Sequence, residues 1–176
     1  MVRRCKPKTA NSMEPTLKRT KTKTADEALR SLMNLCARRE RASSDARRLM
    51  RKWGVSDADA EKVLARLVKE RFIDDKRYAE AFVRDKLNLN VWGTRKIGAA
   101  LRAKGIAADI VTHALEQAPS DNMGERLHKL ILHKALSVKA KSVFDKRVKL
   151  MRYALSQGYE FEMARDCIDS IVTNEE

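Results

Sequence analysis

Few side chains in this sequence are grouped in a way that could support catalysis. Asp74 and Asp75 are adjacent carboxylates, a pair that could act in acid–base catalysis or hold a metal ion. They stand directly before a helical pattern, however, and no third carboxylate has ligand spacing, so a helix cap explains them better. His128 and His133 are five residues apart, a poor separation for shared coordination on one helix face. The sequence therefore predicts no catalytic residues, no metal site and no cofactor.

The cysteines and the hydropathy pattern exclude further classes of protein. Cys5, Cys36 and Cys167 are odd in number and widely spaced, which indicates neither a disulfide framework nor a zinc site. No stretch approaches the roughly 18 apolar residues of a membrane span. The basic N-terminus lacks the apolar core of a secretory signal. We therefore expect a cytoplasmic protein that is neither an enzyme nor bound to a membrane.

The sequence is rich in positively charged residues. It contains 38 Lys and Arg against 24 Asp and Glu, a net charge of +14. Half of the excess lies in residues 1–23, which have no apolar period and are predicted to form a disordered basic tail. The tail would either attract phosphates or solubilise the chain. Such a charge balance is typical of proteins that bind polyanions or acidic protein surfaces, although a solvated basic surface gives the same composition.

One predicted helix carries a cluster of like charges. Arg47, Arg48, Arg51 and Lys52 are spaced i, i+1, i+4 and i+5, which places them on one face. Like charges at this spacing repel each other, so a nearby anion would stabilise the helix.

A second predicted helix carries cations at its unfavourable end. Arg95 and Lys96 fall in its first turn, after Gly93, where the helix dipole disfavours positive charge. A DNA phosphate or an acidic side chain docked there would turn this unfavourable interaction of the two cations into a favourable one. The alternative is that the long side chains simply extend into water. The candidate partner- or DNA-binding residues are Arg47, Arg48, Arg51, Lys52, Arg95, Lys96, Arg102 and Lys104.

Helical periodicity determines where these cations lie. From Thr24 onward, apolar residues recur at i, i+3, i+4 and i+7, and no sustained alternation with a period of two occurs. The protein is therefore predicted to be all-α. The predicted helices are 25–40, 44–53, 57–71, 75–88, 95–104, 108–117, 121–136, 142–157 and 161–172.

Three glycines mark an internal repeat. Gly54, Gly105 and Gly158 are almost evenly spaced, and apolar residues recur at fixed offsets from them. Six residues after each glycine stand Ala60, Val111 and Ala164, and four residues before stand Met50, Leu101 and Ala154. This pattern predicts three tandem three-helix repeats, at 24–72, 73–118 and 119–174. Stacked repeats would form an elongated, curved body. The alternative is a compact helical bundle in which the recurring spacing of apolar residues is accidental.

The middle unit closely resembles a known family. The segments FIDDKRYAEAFV (72–83) and GTRKIGAALRAKGI (93–106) resemble the RecX family, bacterial modulators of the RecA recombinase, and the resemblance extends over roughly residues 25–172. It implies a regulator without catalysis that lies in the groove of the RecA filament on DNA. There it would restrain ATP hydrolysis, strand exchange and coprotease activity.

The resemblance also implies a biological setting. We expect a monomer that inhibits RecA, affects homologous recombination and the SOS response of DNA repair, and binds single- or double-stranded DNA weakly and without sequence preference. Two alternatives stay open at this stage. The protein could be a stand-alone helical DNA-binding protein, or a helical-repeat scaffold for a different partner.

Overall fold

The computed structural model describes residues 22–118 and 122–172, and every regular element in these two ranges is an α-helix. The all-α prediction is confirmed. The predicted tail, apart from residues 22 and 23, lies outside the described residues. The helices are α1 (Ala25–Cys36), α2 (Ser43–Lys52), α3 (Asp57–Lys69), α4 (Asp75–Asn88), α5 (Thr94–Ala103), α6 (Ala108–Glu116), α7 (Met123–Ser137), α8 (Val143–Ser156) and α9 (Phe161–Val172).

Local sequence signals explain where these helices begin and end. Thr24 and Glu27 form a reciprocal capping box at the start of α1. Asp74 caps α4, because its carboxylate accepts the backbone N–H groups of Lys76 and Arg77, and this confirms the capping interpretation. The three glycines that follow α2, α5 and α8 have φ angles of 72°, 77° and 89°, a conformation that favours glycine.

α1 ends earlier than the sequence predicted, at Cys36 rather than at residue 40. The connection to α2 is held instead by contacts with a later part of the chain. Glu40 forms an ion pair with Arg77 of α4, and Ala42 is buried in the core that α4, α5 and α6 share. These tertiary contacts outweigh the helical preference of the arginine-rich segment.

The helices pack in groups of three, each around its own apolar core. We call them repeat 1 (α1–α3), repeat 2 (α4–α6) and repeat 3 (α7–α9). The tandem arrangement is confirmed, although the residue boundaries between the units stay a prediction. Equivalent positions have equivalent burial, since the residues four before and six after each glycine all lie in the core. They are Met50, Leu101 and Ala154, and Ala60, Val111 and Ala164.

None of the helices in the described ranges has the length and hydropathy needed to span a membrane.

Candidate partner-binding surface

The first turn of α5 contains Arg95 and Lys96, as predicted, but two backbone N–H groups at this end already have partners inside the protein. Gly93 N–H donates to the carbonyl of Gln157 at 2.8 Å, and Arg95 N–H donates to that of Gly158 at 3.2 Å. Both carbonyls lie at the C-terminal end of α8. The negative end of α8 therefore faces the positive end of α5 and offsets the unfavourable cations. Gly93 N–H and Arg95 N–H are therefore not free to bind an anion from outside.

The side chains of Arg95 and Lys96 also reach toward repeat 3. Arg95 Nη1 lies 3.4 Å from Glu160 Oε2, and the Arg95 side chain is 64% exposed. Lys96 Nζ donates to Gln157 Oε1 at 3.1 Å and lies 4.6 Å from the centre of the Trp92 ring. A solvent-exposed ion pair contributes little to stability, so Arg95 is available to exchange Glu160 for an anion on a partner.

The contact between repeats 2 and 3, which we call joint 2–3, is a close approach of backbones. A Cβ atom at Gly93 would overlap the Gly158 carbonyl, and a Cβ atom at Gly158 would overlap the backbone of Lys96. The Tyr159 hydroxyl lies 3.2 Å from the Val91 carbonyl, to which it donates. Burial raises the pKa of Tyr159 to about 12.

On α2, the predicted basic face is partly balanced by acidic neighbours. Arg47 forms a two-point ion pair with Glu61 of α3, with Nε–Oε1 and Nη2–Oε2 distances of 2.8 and 3.2 Å. These hydrogen bonds raise the pKa of Arg47 and lower that of Glu61. Arg51 and Lys52 are exposed at the C-terminal end of α2 and form no ion pair with the residues that the structure describes.

The contact between repeats 1 and 2, which we call joint 1–2, includes two further candidate cations. Asp45 of α2 lies 2.6 Å from Lys104 Nζ and 2.9 Å from Arg48 Nη2. The Asp45 side chain is only 13% exposed, so it links the two cations at a partly dehydrated position. Arg102 is exposed on α5 and its side chain runs back toward Gly98. Four of the eight candidates thus lie at the joints, Arg48 and Lys104 at joint 1–2 and Arg95 and Lys96 at joint 2–3.

Joint 1–2 also contains contacts that the sequence reasoning missed. Asp75 accepts the backbone N–H of Ser43 at 2.8 Å and so caps the first turn of α2 from another repeat. Arg77 Nε lies 2.6 Å from Glu40 Oε1. The partners are 32 and 37 residues apart in the chain, and no local pattern connects residues at such separations.

A cleft of about 460 Å³ opens beside these contacts. Four cations line it, together with two aromatic rings and three carboxylates. They are Arg39, Arg41, Lys86, Lys104, Tyr78, Phe82, Glu40, Asp45 and Asp85. The predicted helix 25–40 would include Arg39 and end directly before Arg41, whereas the structure places both in the connection after α1. Burial raises the pKa of Tyr78, and Lys104 opposes this effect.

Within the described part of the chain, no group of His, Cys, Asp and Glu side chains could hold a metal ion. Cys36 and Cys167 are partly buried thiols, and burial raises the pKa of each.

Three three-helix units in tandem, with cations at both joints, define a helical-repeat protein. Residues 74–115 match the family model described as RecX, second three-helix domain. The chain is 29% identical over 131 residues to the regulatory protein RecX of Bacillus mycoides, a match that covers 74% of this chain and 48% of that protein. It is 30% identical over 139 residues to the regulatory protein RecX of Oceanobacillus iheyensis, covering 78% and 51%. The chain is therefore similar to proteins of the RecX family, and the family model matches within repeat 2.

The relatives add information about length and fold. The chain spans about half the length of the curated relatives that it matches, and these are named regulatory proteins. The crystal structure of RecX from Lactobacillus salivarius aligns with a TM-score of 0.70 at 21% identity, over 83% of this chain and 95% of that chain. Another crystal structure of regulatory protein RecX gives a TM-score of 0.71 at 21% identity, over 82% and 71%. At this identity, the likeness shows a shared fold.

Proposed function

We propose that the chain regulates a RecA-type recombinase by binding in the helical groove of the recombinase–DNA filament, where it inhibits ATP hydrolysis and strand exchange. Similarity to the RecX family carries the proposal, because the family model matches residues 74–115 of repeat 2, which contain Arg95, Lys96, Arg102 and Lys104. The protein would act as a cytoplasmic monomer, without catalysis or cofactor, and affect homologous recombination and the SOS response.

The arrangement of repeats suggests how inhibition would work. Cations accompany each joint, so repeats in tandem could place them against successive recombinase protomers. A body that bridges protomers would resist the subunit motions coupled to ATP hydrolysis, and its position in the groove would obstruct a second DNA molecule. Arg48, Arg51 and Lys52 remain exposed on α2, where they could contact DNA phosphates weakly and without sequence preference.

The proposal is tested by ATP hydrolysis of the recombinase on single-stranded DNA, titrated with wild-type protein and with Arg95→Glu/Lys96→Glu. If both side chains contact anionic groups, each worth about 1 kcal/mol, the concentration for half-inhibition should rise roughly 10- to 30-fold. Unchanged inhibition by the double variant would remove both residues from the mechanism. No inhibition by the wild-type protein would contradict the proposed function itself.

Two control variants separate a filament contact from a structural role. Arg95→Glu/Glu160→Arg reverses the charges but keeps their ion pair, so it should stay defective if Arg95 contacts the filament and recover if the pair only supports joint 2–3. Lys129→Glu/Lys141→Glu makes the same change in net charge at exposed positions of repeat 3 and should inhibit like the wild type. Tight, sequence-selective DNA binding without recombinase would favour a stand-alone DNA-binding protein instead.

A further inference from the structure

Repeat 3 contains an apolar groove that the proposed filament contacts do not use. The groove lies between α8 and α9, has a volume of about 340 Å³, and is lined by Val148, Met151, Phe161 and Ile168. Phe161 is 49% exposed although it is a large apolar side chain. Arg147, Arg152 and Arg165 also line the groove, with Asp169 as the one acidic residue of the lining.

The equivalent surface of repeat 1 is closed by an ion pair. Counting from Gly54 and Gly158, Met151 corresponds to Arg47 and Arg165 corresponds to Glu61. Arg47 and Glu61 bridge α2 and α3 at 2.8 Å. Met151 and Arg165 have no such attraction, and Arg165 instead pairs with Glu162 and Asp166 of its own helix. Arg147 of α8 also lies 3.8 Å from Asp169 of α9, so an ion pair crosses the groove of repeat 3 farther from Gly158. At the position that Arg47 and Glu61 close in repeat 1, however, the groove of repeat 3 is open and apolar.

Phe161 is also unexpected as the first residue of a helix. Its counterpart in repeat 1 is Asp57, whose negative charge suits the positive end of α3. A half-exposed phenylalanine gives the helix no such benefit and leaves apolar surface in water.

Further apolar side chains are exposed elsewhere on repeat 3. α8 begins one turn earlier than α2 and α5 do relative to their glycines, and this extra turn carries Val143 and Phe144. Phe144 is 75% exposed, and Leu136 at the end of α7 is 82% exposed. Repeat 3 thus exposes large apolar side chains at several positions besides the groove.

We propose that the α8–α9 groove docks an amphipathic helical segment of a protein partner, with apolar side chains on one face and carboxylates beside them. The apolar side chains would cover Met151 and Phe161, and the carboxylates would pair with the arginines of the groove. Nucleic acid is a poorer occupant, because its phosphates could pair with the arginines but would leave the apolar floor uncovered. A second copy is also disfavoured, because two chains of net charge +14 would meet. The inference goes beyond the proposed function, whose candidate cations lie in repeats 1 and 2.

The test uses a fluorescein-labelled synthetic peptide of about 15 residues, with Leu at i, i+3, i+4 and i+7 and Glu at most other positions. Fluorescence anisotropy should give a Kd of roughly 10–100 µM for the wild-type protein. Met151→Arg/Arg165→Glu rebuilds the ion pair of repeat 1 across the groove and should weaken binding at least tenfold. The variant should keep wild-type helicity and unfolding temperature, because repeat 1 already accommodates the same pair.

The controls decide between specific docking and general attraction of charge. Lys129→Gln makes the same net change of charge at an exposed position and should bind the peptide like the wild type. The proposal is overturned if Met151→Arg/Arg165→Glu binds equally well, or if a scrambled acidic peptide binds equally tightly. A Kd above 1 mM for the designed peptide, or dimers in sedimentation that Met151→Arg/Arg165→Glu abolishes, would likewise overturn it.

Discussion

The two joints that connect the repeats are built from different chemistry. Joint 1–2 depends on charged side chains, with Asp45 against Lys104, Glu40 against Arg77, and Asp75 on the N–H of Ser43. Joint 2–3 depends on backbone, because Gly93 and Gly158 approach too closely for any side chain.

The two joints should therefore respond differently to displacement of the repeats and to salt. Charged side chains are long and reorient, and at joint 1–2 they border an open cleft of about 460 Å³. Their attraction is also screened by salt. Two backbones in direct contact have no side chain to adjust, so joint 2–3 tolerates little displacement. We therefore expect repeats 2 and 3 to move as one unit, and repeat 1 to change its orientation more readily.

The largest expected effect comes from adding a single methyl group at joint 2–3. Gly158→Ala places a Cβ atom into Lys96 and also requires alanine at a φ of 89°. Left-handed backbone costs about 1–2 kcal/mol and overpacking about 1–3 kcal/mol, so the free energy of unfolding should fall by roughly 3 kcal/mol. Urea denaturation followed by circular dichroism measures this change.

Gly105→Ala is the matched control for that substitution. Gly105 has a φ of 77°, but the nearest atom to its added Cβ, on Ser44 across joint 1–2, is 3.9 Å away. Only the backbone cost remains, so destabilisation should be about 1 kcal/mol. Equal losses for the two variants would contradict the view that joint 2–3 is the more tightly packed.

A smaller, pH-dependent effect is expected from Tyr159→Phe at the same joint. At neutral pH, the variant loses the hydrogen bond to the Val91 carbonyl and should be about 1 kcal/mol less stable. Because the folded protein holds the phenolic proton up to a pKa of about 12, whereas an unfolded tyrosine releases it near 10, wild-type stability should fall as the pH rises from 10 to 12. The full loss is roughly 2–3 kcal/mol.

This linkage reverses the order of stability of the two proteins. Lysine titration affects both alike, so the difference between their unfolding free energies isolates Tyr159. The phenylalanine variant should be the more stable protein near pH 12, as measured by urea denaturation at a series of pH values. A difference that stays constant from pH 8 to pH 12 would show that the phenol is not buried at the joint.

The local parts of the fold could be predicted from the sequence, because their causes are local. The capping box at Thr24 and the left-handed glycines at Gly54, Gly105 and Gly158 depend on residues a few positions away. The internal repeat allowed the sequence to predict more than local structure, because the same spacing of apolar residues recurs three times. The predicted end of α1 was wrong because Glu40 and Ala42 are held by partners in repeat 2. Helical periodicity contains no information about such contacts.

The candidate site shows the same division. The sequence identified the unfavourable position of Arg95 and Lys96 from helix polarity alone. It could not reveal that carbonyls of Gln157 and Gly158 supply the missing negative charge, because these lie in another repeat. The sequence also provided no reason to single out Met151. Its difference from Arg47 matters only because α8 packs against α9 as α2 packs against α3.

The smallest expected effect is at joint 1–2, where Asp45→Asn removes the carboxylate shared by Lys104 and Arg48. Hydrogen bonds to charged groups contribute about 1.5–3 kcal/mol when protected from solvent. Partial exposure of Lys104 reduces the expected loss to roughly 1 kcal/mol at low salt.

Salt makes this variant a test of the comparison between the joints. Screening weakens the wild-type ion pairs, so the difference in unfolding free energy between wild type and Asp45→Asn should shrink as NaCl rises from 50 mM to 1 M, where the Debye length is about 3 Å. The loss caused by Gly158→Ala should not change over that range, because a steric overlap has no charge to screen. Urea denaturation of both variants at each salt concentration measures the two dependences. If the Gly158→Ala loss shrinks in step with that of Asp45→Asn, joint 2–3 is also held by charge and the distinction between the joints fails.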